Sequence, residues 1–217
     1  MAYSQVNRQI KINTPLGPDV LLIFRMQAEE ALGRSYEFTL DLLSDDEAIA
    51  FDDLLGEKMT VELDLVDGGK RYFDGYVSHF TQIGHLACFA HYRATLRPWL
   101  WFLTRTADCR IFQNLSVPDI VKGVFRDHGF SDFEERLSDS YRSWEYRVQY
   151  RETDYDFVNR LLEQEGIYYY FRHTPGKHTL VLCDSRSAHD PLEAYASLPY
   201  VPPTEQGATR WKDYIHA

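Results

Sequence analysis

The sequence predicts a mainly β protein in which a small barrel or sandwich of bent strands precedes a mixed α+β subdomain. Two observations predict this class. In the first hundred residues apolar and polar side chains alternate with a period of two, and the alternating segments are separated by turn residues. Two segments with helical spacing and capping residues appear only after Ser116. The aromatic share of 15% also favours pleated, half-exposed surfaces.

Six strands are predicted before residue 105, and they define the first domain, 1–105. Tyr36, Phe38, Leu40 and Leu42 alternate with polar neighbours, as expected of a sheet with one wet face. Gly68 and Gly69 accept the positive φ values of a tight hairpin turn. Asp74-Gly75 is predicted to interrupt the second strand of this hairpin as a bulge that bends it. The six predicted strands cover residues 6–13, 20–27, 36–42, 61–65, 71–80 and 87–97.

The next segment, 106–186, is predicted to be an α+β subdomain. A helix near 117–128 begins after the hydroxyl cap Ser116, with Pro118 in its first turn, and Gly129 ends it. A second helix near 154–165 follows Thr153, with Asp154 and Asp156 as charges that favour its start and Gly166 as its stop. A hairpin over 167–182 turns at 174–177, where proline and glycine fit a type II turn.

Residues 187–217 are predicted to form an extended connector, because four prolines interrupt regular structure. Trp211 and Tyr214 near the end would need a surface to pack against, so we expect the sequence to be a fragment.

The net charge, the hydropathy pattern and the cysteine count argue against several classes of function. A formal net charge of −10 argues against binding nucleic acid or an anionic membrane surface. No apolar run reaches the roughly 18 residues of a membrane-spanning helix, and the N-terminus lacks the apolar core of a signal peptide. Three cysteines, Cys88, Cys109 and Cys183, form no disulfide framework and indicate a reducing compartment.

Few residues have the spacing of a chemical site. His85, Cys88 and His91 are zinc-binding types, but on a strand residues i and i+3 point to opposite sides. His178, Asp184 and Ser185 lack the sharp turn that presents a serine nucleophile, and Asp67-Gly-Gly-Lys70 lacks the strand-to-helix context of a phosphate loop. The following acid pairs are interpreted as helix-start or solvated charges rather than catalytic pairs: Asp154/Asp156, Glu163/Glu165 and Glu134/Glu135.

Two aromatic clusters could stack sugars, but a strand turns half of such a run towards a core or a protein partner, which we favour. They are Tyr168–Tyr170 with Phe171, and Trp99 and Trp101 with Phe102. No catalytic, cofactor-binding or metal residue is therefore assigned, and no enzyme is predicted.

Eight stretches, in this order over nearly the whole chain, resemble the VgrG family of type VI secretion spike proteins and the related hub proteins of contractile phage tails. They cover residues 36–44, 54–58, 72–77, 96–104, 109–113, 116–121, 150–154 and 157–169. The resemblance implies that 1–105 is a tail-hub-type β-barrel and that 187–217 leads towards a second barrel that is missing or incomplete here.

The resemblance also implies a structural role as a spike base. Family members form homotrimers that dock on the hexameric Hcp tube, contact the baseplate and, through C-terminal regions absent here, carry effectors or a PAAR tip. Assembly in the bacterial cytoplasm and secretion by the machine without a signal peptide are implied as well. Two kinds of alternative remain open: a hub of a phage tail or tailocin, and, from another class, a cell-wall hydrolase or a carbohydrate-binding module.

Overall fold

The computed structural model describes residues 3–65, 68–190, 197, 200–201 and 215–216. Met1–Asp184 forms one compact unit that contains two hydrophobic cores. In the second unit, Ser185–Ala217, a short parallel pair joins Tyr200–Val201 to Ile215–His216. Most of the predicted connector at 187–217, including Trp211 and Tyr214, lies outside the described residues. The predicted domain boundary at residue 105 stays a prediction, because both cores lie within the first unit.

Six antiparallel strands form the first sheet, in the order β1-β4-β5-β6-β3-β2. The two outermost strands, β1 and β2, also contact each other, so the sheet curls into a half-barrel. Its strands are β1 (Ile10–Asn13), β2 (Leu22–Glu29), β3 (Glu37–Ser44), β4 (Lys58–Asp64), β5 (Lys70–Leu86) and β6 (Phe89–Arg97).

The alternation in β3 explains the first core. Phe38, Leu40 and Leu42 are completely buried inside the curl, where they meet inward side chains of the other strands. Each such side chain contributes roughly 1.5–3 kcal/mol by leaving water. All six predicted strands are present, although β5 extends six residues beyond the predicted end at Phe80.

The bulge predicted at Asp74-Gly75 was wrong. β4 and β5 pair without interruption through these residues, and β5 instead shifts register against β6 between Val77 and His79 and between Gln82 and Gly84. Gly75 serves another purpose, because a Cβ there would lie 3.0 Å from the Leu96 Cβ. The glycine therefore permits a close approach of two strands rather than a bend.

The β4–β5 hairpin is also longer than the two-glycine turn that was predicted. Asp64 pairs with Lys70, so residues 65–69 form the connection. Gly68 has the expected positive φ of 85°, and the Leu65 N–H donates to the Gly69 carbonyl at 2.8 Å.

The second core is built around two helices, α1 (Val117–Asp127) and α2 (Asp154–Glu165). The Ser116 side chain accepts a hydrogen bond from the Asp119 N–H, and Thr153 accepts one from Asp156, so both hydroxyl caps are present as predicted. Gly166 ends α2 in the left-handed region, with φ 72°.

Small sheets complete this part of the chain. The predicted hairpin is formed by β10 (Tyr168–Thr174) and β11 (Lys177–Cys183), and a strand that was not predicted, β8 (Phe133–Arg136), pairs parallel with β11. A two-stranded ribbon, also unpredicted, consists of β7 (Ala107–Phe112) and β9 (Arg147–Thr153). A 3₁₀ helix, Trp99–Arg105, leads from the barrel into this part.

Candidate functional site

The residues with zinc-binding spacing lie around the tip of the β5–β6 hairpin. His85 contacts Glu47 at 3.2 Å, Cys88 is exposed at the tip, and the half-buried His91 packs its ring edge-on against Phe24. Across the described part of the chain, no group of three or more His, Cys, Asp or Glu side chains could hold a metal ion. No helix in that part is long and apolar enough to cross a membrane.

Most predicted acid pairs take part in ion pairs or caps. Glu134 pairs with Arg172 and Glu135 with Lys122, which tie strand β8 to its neighbours. Glu165 accepts a hydrogen bond from the Trp144 indole N–H at 3.0 Å.

Asp154 stands in the first turn of α2, as predicted, but favouring the helix start is not its only contribution. Its side chain is buried and accepts hydrogen bonds from Thr106 at 2.8 Å, Arg110 at 2.5 Å, His128 at 2.7 Å and Gln149 at 2.7 Å. Burial alone would raise the pKa of Asp154, but these donors and the Arg110 charge hold it below its ordinary value. The carboxylate therefore fastens the ribbon to both helices.

His178, Asp184 and Ser185 are not brought together as a triad. Asp184 binds the loop that follows β8, accepting from the Ser138 and Asp139 N–H groups and from the Tyr141 hydroxyl. Burial opposes its ionisation, but these hydrogen bonds lower the pKa of Asp184 to about 2. His178 was interpreted as a polar residue ending a hairpin, which was wrong, because it is fully buried and its carboxylate partner is Asp74.

A buried joint links the half-barrel to the hairpin. His178 Nδ1 lies 2.7 Å from Asp74 Oδ2, and the Thr60 hydroxyl donates to the other carboxylate oxygen at 2.6 Å. The backbone N–H of Trp99 donates a hydrogen bond to His178 Nε2 at 2.9 Å. Nε2 must therefore be unprotonated, so Nδ1 carries the proton and donates it to Asp74. We call the group of Tyr36, Thr60, Asp74, His173 and His178 the joint.

The other two members close the joint. The Tyr36 hydroxyl donates to the Asp74 carbonyl at 2.6 Å, and the Asp74 N–H donates to His173 Nδ1 at 3.1 Å. Phe171 packs against both cores and meets the Tyr36 ring edge-on at 4.9 Å. Hydrogen bonds and ring contacts therefore both connect the half-barrel, through the joint, to the hairpin.

The two aromatic clusters are mainly parts of the cores. Tyr169 is only 1% exposed and donates its hydroxyl proton to Asn159, so it offers no open platform for a sugar. Trp99 is buried as well, stacked on Phe130. Gly68 and Gly69, which were rejected as part of a phosphate loop, join two antiparallel strands, and β5 rather than a helix follows them.

The ribbon presents the most conspicuous outward apolar face. Cys109 lies opposite Tyr150 and Ile111 opposite Val148, so all four side chains share one face. Tyr150 is 65% exposed and Ile111 60%, and Tyr146 just before β9 is 53% exposed. We call these five residues the ribbon face. Because exposed aromatic and aliphatic side chains gathered on one face are typical of protein contacts, the ribbon face is a candidate surface for a protein partner.

Sequence reasoning missed the buried partners of Asp74 and Asp154, and it missed the ribbon face. Asp74 bonds to a residue 104 positions away, so no local spacing could reveal the joint. The ribbon carried a detectable signal, because Tyr146, Val148 and Tyr150 alternate with Arg147 and Gln149.

The known proteins to which this chain is similar are hub proteins of phage tails and spike proteins of type VI secretion systems. A family model described as phage tail baseplate hub (GPD) matches residues 29–217. The type VI secretion system spike protein VgrG1c of Pseudomonas aeruginosa is 54% identical over 204 residues, which are 94% of this chain and 28% of that protein. The chain therefore spans less than a third of the length of this curated relative.

Solved structures share the fold. A component of the type VI secretion system of Escherichia coli, the c3393 protein, superposes with a TM-score of 0.73 at 26% identity over 90% of this chain and 53% of its own. That protein is described as structurally similar to the tail proteins gp27 and gp5 of bacteriophage T4. The Francisella PdpA–VgrG complex matches at 18% identity with a TM-score of 0.51, over 82% of this chain and 27% of that one, which supports the fold alone.

Proposed function

Because the chain belongs to the phage tail baseplate hub (GPD) family and corresponds to the hub region of a type VI secretion VgrG spike protein, we propose that it forms the spike base, trimerising and docking on the Hcp tube. The observation that carries this proposal is the match of 94% of the chain, at 54% identity, to a spike protein.

The buried geometry supports a mechanical role. Asp74 and His178 connect the half-barrel to the hairpin inside the protein. The hydrogen bonds of the joint described above are between 2.6 and 3.1 Å long. Such a close-packed connection transmits force instead of bending. The family is one of structural spike and hub proteins, and the energy for delivery would come from sheath contraction rather than from a reaction in this chain.

Further partners would bind through other surfaces and other segments. We propose that baseplate proteins contact the hub, and that effectors or a PAAR tip are carried by regions beyond the third of the spike protein to which this chain corresponds. The Francisella complex, in which VgrG is bound to PdpA, is a case of a protein of this fold holding a second protein.

A hub of a phage tail or tailocin is the second candidate, and the description of the matching family favours it. The fold would be the same and only the tube protein would differ. Because the docking surface must fit its own tube, the two candidates separate by which tube the chain binds.

Co-sedimentation with purified tubes tests the proposal. The chain, mixed with Hcp tubes from the same organism, is expected to pellet with them and to saturate at three chains per tube end. Binding to phage tail tubes but not to Hcp would favour the second candidate. Absence of binding to either tube would contradict both.

A further inference from the structure

Trp101 has no packing role in either hydrophobic core. Among the described tryptophans, Trp99 lies inside the second core and Trp144 packs against it, whereas Trp101 packs against neither core. It lies in the 3₁₀ helix that leaves the half-barrel, and it remains partly exposed. A large aromatic side chain that lies at the surface without supporting a core is typical of a binding site.

Trp101 belongs to a row of three partly exposed rings. Its ring lies 5.4 Å from that of Phe102 between centroids, and Phe102 meets Tyr76 edge-on at 5.1 Å. The Arg105 guanidinium carbon lies 4.6 Å from the Trp101 ring centroid, and Lys58 Nζ lies 5.2 Å from that of Tyr76. Each end of this chain of ring contacts therefore carries a cation. We call these five residues the aromatic strip.

The sheet register fixes one half of the strip. Lys58 is paired with Tyr76, and Tyr76 with Arg97, so the three side chains share the face of the sheet that points away from the first core. The Arg97 charge is balanced by Glu37. The 3₁₀ helix follows directly after β6 and supplies the other rings. Because Tyr76 and Phe102 also pack against the second core, the strip is held in place while its outer side stays open.

The polar groups of the strip are donors that the described part of the chain leaves available. The Lys58 ammonium and the Trp101 indole N–H reach solvent and make no hydrogen bond with a described residue. Arg105 donates to the Thr104 hydroxyl at 3.0 Å, and no described carboxylate lies within 4.0 Å of the Lys58 or Arg105 nitrogens. Donors of this kind select a partner that brings acceptors with negative charge.

We propose that the aromatic strip binds an acidic segment of a partner protein, with an apolar side chain on the rings and carboxylates on Lys58 and Arg105. The four contacts along the strip are 4.6 to 5.4 Å long, so about six residues of extended chain, at roughly 3.3 Å each, reach from one cation to the other. The inference goes beyond the spike-base proposal, because it does not depend on which tube the chain binds.

The charge of the whole molecule favours a short acidic segment over a nucleic acid. A polyanion would extend beyond the strip and would be repelled by a chain with a net charge of −10. A short segment is affected mainly by charges within about 8 Å, the screening length at physiological salt. The two unbalanced cations of the strip therefore suit two carboxylates better than a phosphate backbone.

Fluorescence anisotropy with a fluorescein-labelled heptapeptide tests the proposal. The probe has two glutamates at each end and leucine, phenylalanine and leucine between them. Lys58→Glu with Arg105→Glu should weaken its binding about tenfold or more, because repulsion replaces both attractions. Arg142→Glu with Arg151→Glu is the matched control, since it changes the net charge equally at two exposed arginines stacked on other aromatic rings. The control should change the affinity less than about twofold.

Two further probes separate the strip from general charge attraction. A peptide with serine at the three central positions should bind the unchanged chain about tenfold more weakly, because the rings lose their apolar partner. A ten-nucleotide oligothymidylate should not displace the original peptide. Urea midpoints check that the variants stay folded, and Arg105→Glu alone, at an exposed residue, carries the test if the double variant unfolds.

Four results would overturn the inference. They are equal weakening by the control variant, equal affinity for the serine peptide, displacement by the oligonucleotide, and no saturable binding up to about 1 mM peptide. Tube binding is measured separately, so the spike-base proposal can survive each of them.

Discussion

Among single residues, His178 has the most constrained chemistry. Its Nε2 accepts a hydrogen bond from the backbone N–H of Trp99, and its Nδ1 donates one to Asp74. A second proton would have to bind Nε2, where it would face this backbone N–H, which cannot rotate away. Burial lowers the pKa of His178, although Asp74 opposes the effect. His173 and Lys58 also disfavour the charged form. The joint is therefore assembled around a neutral imidazole.

This geometry predicts a loss of stability in mild acid. The unfolded chain binds a proton near pH 6.5 while folded His178 remains neutral, so stability is complete above that pH and falls as the pH drops towards the folded-state pKa. The slope is at most about 1.4 kcal/mol per pH unit for one group. Urea unfolding at pH 7.5, 6.5 and 5.5 measures it.

A paired comparison isolates the residue. His178→Phe should remove this pH-dependent part and also destabilise the chain by about 3–5 kcal/mol, because Asp74 loses a buried partner. His85→Gln, at an exposed histidine, should leave the slope as it is. An unchanged slope in His178→Phe would contradict the role assigned to the joint.

Individual buried contacts were beyond sequence reasoning for a physical reason. Asp154 stands in the first turn of α2, where a carboxylate is favoured whatever it bonds to, so its local setting predicted the helix start and concealed the network. Thr106, Arg110 and His128 come from three other segments, and only the fold brings them to one oxygen pair.

At the scale of elements, structure with a local cause was predictable. The caps Ser116 and Thr153, the glycine that ends α2 and the Pro175-Gly176 turn act within a few residues, and each is present. Strands stabilised by distant partners were not: β8 has only four residues, FEER, and owes its conformation to pairing with β11.

Gly75 and Gly123 give opposite predictions for the same substitution. Gly75→Ala should destabilise by about 1–3 kcal/mol, because the new Cβ would meet the Leu96 Cβ at 3.0 Å and the Arg97 carbonyl at 3.2 Å. Gly123→Ala, inside α1 with nothing within 4 Å, should stabilise by about 0.5–1 kcal/mol. Chemical denaturation measures both, and a neutral Gly75→Ala would refute the close approach of β5 and β6.

For the whole molecule, the resemblance and the fold class derived from the sequence are confirmed: the chain belongs to the hub family and begins with a curled six-stranded sheet. Eight short motifs were enough to identify the family, because their order along the chain can be read directly from the sequence. How the two cores meet could not be predicted from the sequence. The residues that join them, Phe171 and His178, contact barrel residues about a hundred positions earlier in the chain.

The continuous joint predicts that both cores of Met1–Asp184 unfold together. Trp99, Trp101 and Trp144 all lie on the helical side, so in a Trp211→Phe background tryptophan fluorescence reports the second core alone, while circular dichroism near 215 nm reports the strands and helices of both cores together. In urea the two signals should give coincident transitions, because neither core can open without exposing Asp74 and Phe171. Separated midpoints would mean that the half-barrel ending near residue 105 folds as an independent domain and that the joint does not transmit load.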